Sequence, residues 1–251
     1  MRVKRRIFSG AVCEQEVFTV SDGLRNLRKA EKRLRFHSDE ERQQHRNGIA
    51  RRHHARNFNA NFNPESLYST LTMDNEHEVH TFEEAKRIRK AYIRKLKKRW
   101  PDAVIYAYLG RGKSTQRIHM HMVSNGIPKE AITSLWECGT VSRCENLRKK
   151  MKSDDGRDLG MDYTGLANYL FDHWTPEQGG HRWYQTRNAQ KAEKEEPVAC
   201  KREYTEAKPP RAPKGYRLTE ARSTPYGYLY FKYVCDDAPS APPGRRELIH
   251  I

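Results

Sequence analysis

Long apolar runs are missing from this chain. No stretch approaches the roughly 20 consecutive apolar residues that a membrane span needs, and the basic start Met1–Arg6 lacks the short apolar segment of a secretory leader. A cytoplasmic location without a membrane partner is therefore expected. Cysteine is sparse. Cys13, Cys138, Cys144, Cys200 and Cys235 are odd in number and widely spaced, with no C-x-x-C pair, which argues against a disulfide framework and against a four-cysteine zinc module. No P-loop sequence is present, so a built-in nucleotide-driven helicase is not indicated. Acidic residues are also short: 32 Asp and Glu stand against 48 Lys and Arg, a formal charge of +16. Such an excess points to a polyanionic partner, because each cation that meets a phosphate releases condensed counterions. Nucleic acid is the first candidate.

Only 36% of the 251 residues are hydrophobic and 32% are charged, which suits one sizeable core with polar extensions. Residues 1–62 are rich in Arg, Lys, His, Asn and Glu and read as a basic N-terminal arm, solvated or in contact with DNA. Leu24, Leu27, Ala30 and Leu34 recur at helical spacing, so the arm is expected to be partly helical. Residues 63–190 read as the main core, and 191–251 as an extension with a strand or hairpin around Tyr226–Val234 and a frayed, proline-rich tail.

Within the core, Ser66–Thr72 has strand-forming composition. Thr81-x-x-Glu84 has the form of a capping box, and Phe82, Ala85, Ile88, Tyr92, Leu96 and Trp100 follow at steps of three and four before Pro101. Val104–Leu109 reads as a strand joined to Ile118–Val123 by the basic, glycine-containing turn 110–115. Ile127-Pro128 opens a second helix, and Thr140–Leu147 is a weakly signalled strand. The sum is an α+β fold, a central antiparallel sheet with helices packed on it.

Ile118-His-Met-His-Met-Val123 carries the chemistry. Strand side chains alternate, so His119 and His121 share one face while Ile118, Met120 and Met122 share the other. Two imidazoles on one strand face can hold a divalent cation whose remaining ligands come from elsewhere. The alternative is a pair of solvated histidines. A zinc hydrolase using Cys138 or Cys144 with them is discounted, because no general base lies at useful spacing. If Met161–Trp174 is helical, Tyr163, Leu166, Ala167, Leu170 and Trp174 form an apolar arc, leaving Tyr169 off its centre beside His173. Tyr163 is then the core tyrosine and Tyr169 the one presented to a site. Arg111, Lys113 and Arg117 flank the hairpin mouth, and Arg182, Trp183 and Arg187 supply cationic and aromatic groups of the kind that track a nucleic-acid strand. Trp183 and Tyr184 could equally anchor an edge of the core.

Taken together, Tyr68-Ser-Thr-Leu-Thr72, His119-Met-His121 and Ala167-Asn-Tyr-Leu170, followed by Arg182-Trp to Thr186-Arg-Asn188, give residues 64–190 a specific likeness. The chain resembles rolling-circle replication initiators of the HUH endonuclease superfamily, such as those of bacterial plasmids and single-stranded DNA phages. The resemblance implies a ferredoxin-like or RRM-like core with the histidines on a central strand and the tyrosine on a facing helix. It further implies Mn²⁺ or Mg²⁺ on His119 and His121, a single-stranded DNA origin as substrate, and Tyr169 as the nucleophile that leaves a 5′-phosphotyrosyl bond and a free 3′-OH. A host helicase and polymerase would be partners in a bacterial cytoplasm. A non-catalytic nucleic-acid-binding regulator, or a transposase or relaxase with the same chemistry, is the alternative.

Two departures from the family pattern bear on the site. Where relatives carry a lysine three or four residues after the tyrosine, this chain has Asp172 and His173. His173, one turn from Tyr169, could contribute or could face solvent. No carboxylate lies between Asp102 and Glu130 to act as third ligand, which leaves Gln116, a distant acid such as Asp162, or water.

Overall fold

The computed structural model describes residues 1–20, 38–112, 115–225 and 227–236. The chain is mixed α+β, with antiparallel sheets, and divides into two compact units: residues 1–56, 150–162 and 192–251 form one, and 57–149 with 163–191 form the other. No described helix is long and apolar enough to cross a membrane.

In the first unit the N-terminal stretch expected as a basic arm opens with two strands. β1 (Arg2–Ser9) and β2 (Val12–Thr19) pair as an antiparallel hairpin. β12 (Tyr216–Ser223) and β13 (Leu229–Cys235) form a second hairpin, and β13 pairs with β2. The short strands β10 (Glu193–Lys194) and β11 (Val198–Ala199) line the outer side of β1. The two ends of the chain thus build one sheet. Charge hides the hairpin in the sequence: Val3, Ile7, Cys13 and Val17 are buried, and so are Glu14 and Glu16. Those carboxylates tolerate burial because Arg56 bridges both and Arg5 pairs with Glu16. α1 (Asp39–Asn61) carries the Arg51–Arg56 cluster, whereas the helical spacing at Leu24–Leu34 lies outside the described residues.

The second unit holds a five-stranded antiparallel sheet. Its strands are β3 (Leu67–Met73), β4 (Val104–Arg111), β5 (Ile118–Asn125), β6 (Gly139–Asn146) and β9 (Tyr184–Gln185), in the order β6-β3-β5-β4-β9. Between β6 and β9 the chain also forms a small ribbon, β7 (Met151–Lys152) with β8 (Asp158–Gly160), which is counted with the first unit. α2 (Phe82–Arg99) starts at the expected capping box, with Thr81 accepting from the Glu84 N–H and the Glu84 carboxylate accepting from the Thr81 N–H. It lays Phe82, Ala85, Tyr92, Ile93 and Leu96 on Leu71, Ile105, Ala107, Met120 and Met122. The short helix α3 (Lys129–Ser134) adds Ala131 and Ile132 to the same cluster.

Period-two alternation places the other face of the sheet to different use. Tyr106 and Tyr108 of β4, Tyr68, Thr70 and Thr72 of β3, and His119 and His121 of β5 point away from α2. Phe58 and Phe62 pack edge-on against Tyr106 there. α4 (Thr164–Phe171) also serves this face, and is shorter than the periodicity of 161–174 suggests. The buried Asn59 fixes its start: the side-chain carbonyl accepts from the Tyr163 N–H at 2.8 Å, and the amide donates to Thr164 Oγ1 at 3.1 Å.

Removing the fully buried Met120 side chain should cost about 2–5 kcal/mol, whereas His119→Ala, one residue away on the opposite face, should cost about 1 kcal/mol or less in the metal-free protein. Urea denaturation of Met120→Ala and His119→Ala distinguishes the two faces; equal losses would contradict the alternation.

Candidate metal centre

Strand β5 lies at the middle of its sheet, so His119 and His121 have a neighbouring strand on each side. Across the ladder His121 faces Thr70 and Tyr108, and His119 faces Thr72 and Gly110. The two rings lean together until their Nε2 atoms are 3.0 Å apart. Two nitrogens each about 2.1 Å from one ion and at roughly a right angle to it are separated by about 3 Å, so this spacing suits a shared cation.

The third imidazole is His173, two residues beyond the end of α4. It is half-buried against both other histidines, with ring centroids 4.6 Å from His121 and 6.2 Å from His119. One ring nitrogen from each of the three lies within 4.8 Å of the others. Among the described residues no other trio of His, Cys, Asp or Glu side chains converges in this way. The sequence allowed His173 a solvent-facing place; the structure puts it in the cluster.

Second contacts orient these rings. His173 Nδ1 donates to the Tyr169 carbonyl at 2.8 Å, and His119 Nδ1 faces the Arg117 carbonyl at 3.5 Å. His121 Nδ1 lies 2.8 Å from the Tyr68 hydroxyl and 3.2 Å from Thr70 Oγ1. With each Nδ1 so engaged, the Nε2 lone pairs are left for a ligand. Burial, then the neighbouring His119 and His173, push the His121 pKa down to about 3. Burial likewise lowers that of His119, against the opposing pull of the Arg117 carbonyl. Both are neutral at pH 7, the form a cation requires. The three histidines could therefore hold a metal ion.

Close approach explains one glycine. A Cβ on Gly110 would come within 2.9 Å of His173 Cδ2 and 3.5 Å of His119 Nε2. Gln178, buried on the turn after α4, fixes the segment: its amide donates to the Leu109 and His173 carbonyls, both at 3.0 Å.

Tyr169 is 54% exposed, and its ring lies 4.4 Å from that of His173 and 6.2 Å from that of His121. Tyr163 is 1% exposed and donates its hydroxyl to the Arg148 carbonyl at 3.1 Å. The burial of Tyr163 and the exposure of Tyr169 thus follow the helical arc. Sequence reasoning missed Arg143, which β6 sets opposite Thr70. Its guanidinium lies 5.4 Å from the Tyr68 ring centroid, feels the Tyr169 phenol electrostatically, and pairs with Glu145 at 2.8 Å.

The other expected residues are dispersed. Asp162 belongs to the first unit, buried and paired with Lys232 at 2.9 Å. Gln116 sits in the hairpin turn with φ 57°. Asp172 is exposed at the C-terminal cap of α4. Arg111 donates to the Gln116 carbonyl and stacks on Phe82, and Arg117 pairs with Glu78 at 3.0 Å. Lys113 lies outside the described residues. Arg182 stacks on Phe171 and Trp174, with Trp183 beside Phe171, so these groups brace α4. Arg187 lines a groove along α2.

No family model, curated protein or solved structure matches this chain. The site is therefore read from its own geometry.

Alanine at position 110 should displace His173 and weaken binding of Mn²⁺ or Zn²⁺ by about 10–100-fold, the range seen when groups behind a ligand are disturbed. Calorimetric titration of Gly110→Ala with a far-ultraviolet check of folding tests this; unchanged affinity would remove His173 from the ligand set. A second expectation concerns acid. Because His121 refuses a proton until about pH 3 when folded, while the unfolded chain accepts one near pH 6.5, the metal-free protein should lose stability as pH falls through that window. Urea midpoints between pH 7 and 4 should fall less steeply for His121→Gln than for the parent chain.

Proposed function

We propose that the protein is a metal-dependent DNA-nicking and strand-joining enzyme of the rolling-circle initiator type, with Tyr169 as nucleophile. One observation carries the reading: an exposed phenol and three imidazoles, drawn from a sheet strand and a helix end, meet on one face of the sheet. The ferredoxin-like or RRM-like core expected of that class is supported by the central place of β5 and by the helix facing it.

His119, His121 and His173 would hold the ion through nitrogen. A set of three imidazole ligands favours a transition ion over Mg²⁺, which prefers oxygen ligands, so Mn²⁺ is the better of the two expected ions. When bound, it would withdraw charge from a non-bridging oxygen of the scissile phosphate. The Tyr169 oxygen attacks phosphorus and loses its proton to solvent; the bond from phosphorus to the 3′ oxygen breaks, and that oxygen gains a proton. The phosphotyrosyl ester keeps the bond energy, so attack by a 3′-OH reverses the step and joins strands. Arg143, which interacts electrostatically with the Tyr169 phenol, would stand in for the lysine that this chain lacks at positions 172 and 173. Tyr68 and Thr70 orient His121 and touch no substrate atom in this scheme.

The substrate is single-stranded DNA at an origin, and the net charge of +16 favours it over a neutral ligand. With no P-loop of its own, such an initiator would work with a host helicase and polymerase in a bacterial cytoplasm.

Incubation with Mn²⁺ and a pool of single-stranded oligonucleotides from the source replicon should yield a covalent protein–DNA adduct visible on denaturing gels. Tyr169→Phe should abolish the adduct, and Arg143→Gln should slow its formation about 10–100-fold. Adduct formation that survives Tyr169→Phe would refute the assignment; binding that persists in EDTA without any adduct would favour the regulator.

A further inference from the structure

On the face of the sheet that carries α2, away from the histidines, runs a groove of about 640 Å³. β9 places it there: Tyr184 pairs with Ala107, which in turn pairs with Met122, and all three side chains lie on the α2 side. The groove is lined by Lys86, Arg89, Lys90, Arg94 and Lys97 of α2 and by Arg187. No carboxylate lines it. Two of these cations are engaged, Lys86 with Glu83 and the Gln178 carbonyl, and Lys97 with the Pro101 and Ala103 carbonyls at the helix end. Lys90, Arg94 and Arg187 are exposed and form no ion pair with a carboxylate among the described residues.

Arg89 is the unusual member. Its Nε is buried without a hydrogen-bond partner, and its guanidinium lies 5.7 Å from the Tyr184 ring centroid. Burial pulls its pKa down, and only Tyr184 and Glu83 act against that. A buried guanidinium edge left unbonded in a cationic groove is costly, and an anion would relieve it. The shape of the charge identifies the anion's class. Lys86, Lys90, Arg94 and Lys97 stand at steps of three and four along one helix face, a row of about 16 Å at 1.5 Å per residue. A single phosphate would fill one step of that row, whereas a phosphodiester backbone presents a charge at each.

We infer that this groove is a second, sequence-independent contact for the backbone of single-stranded DNA, with Arg89 as its anchor and Lys90, Arg94 and Arg187 as its rail. The choice of DNA over another polyanion rests on the nicking function proposed for the opposite face; the groove itself does not. The strand engaged at Tyr169 would reach it around the β9 edge, so that the reacting phosphate is held on one side of the sheet while flanking nucleotides are held on the other.

The test is the salt dependence of binding. The triple variant Lys90→Gln, Arg94→Gln and Arg187→Gln alters only exposed side chains, which keeps folding intact, and Mn²⁺ titration serves as a control on the other face. Fluorescence anisotropy with a labelled single strand should show the slope of log K against log salt falling in magnitude by about 2, since each lost single-strand contact contributes about 0.7, with Mn²⁺ affinity unchanged. An unchanged slope would overturn the inference, as would competition by a mononucleotide at the groove without any change for the strand. Because the readout is binding, it is independent of adduct formation: a reduced slope in a chain that forms no adduct would retain the groove and discard the nicking reaction, and the converse result would do the opposite.

Discussion

Exclusion of water from His121 is the constraint on which this structure turns. The ring is buried against Tyr68, Thr70 and two further imidazoles, and in that setting a second proton is too costly to hold. A neutral His121 ring can stand this close to His119 and His173 as a charged one could not. The arrangement needs a central strand to supply two of them, a residue without a side chain at position 110 to make room for the third, and a buried glutamine at 178 to tie the third to the sheet.

Division of labour between the two faces of one sheet follows from alternation on β5. Odd positions carry imidazole; even positions carry Ile118, Met120 and Met122 into a core closed by α2 and α3. The packed core and the histidine cluster are thereby separated by a single residue step, and a one-residue slip in register would exchange them. The first unit meets its polar burden differently. There Glu14 and Glu16 are taken into a sheet because Arg5 and Arg56 accompany them, and Asp162 because Lys232 does.

Much of the second unit was legible because local rules sufficed. The capping box at Thr81, the three-and-four spacing through Trp100 and the alternation from Ile118 each specify an element without reference to the rest of the chain. The helical arc likewise separated Tyr163 from Tyr169. What escaped depends on distant partners. The β1–β2 hairpin was read as a basic arm, since its carboxylates are buried only by virtue of ion pairs made across strands and from α1. His173 could not be assigned because its position depends on where a chain segment past α4 returns to β4. Arg143 reaches the site through a strand whose register with β3 shifts between Thr70 and Leu71, and such an irregularity leaves little trace in composition.

One further consequence lies in the turn shared by Tyr169 and His173. The imidazole is bonded through Nδ1 to the backbone carbonyl of the tyrosine's own residue, and its ring lies 4.4 Å from the phenol ring, so ligand and phenol are carried on the same turn. Under the proposed chemistry, a displacement of this turn by a strand covalently attached to Tyr169 would also displace one of the three groups that would hold the cation. Release of a nicked end and loosening of the ion would then be a single event, coupling possession of the DNA terminus to occupancy of the metal.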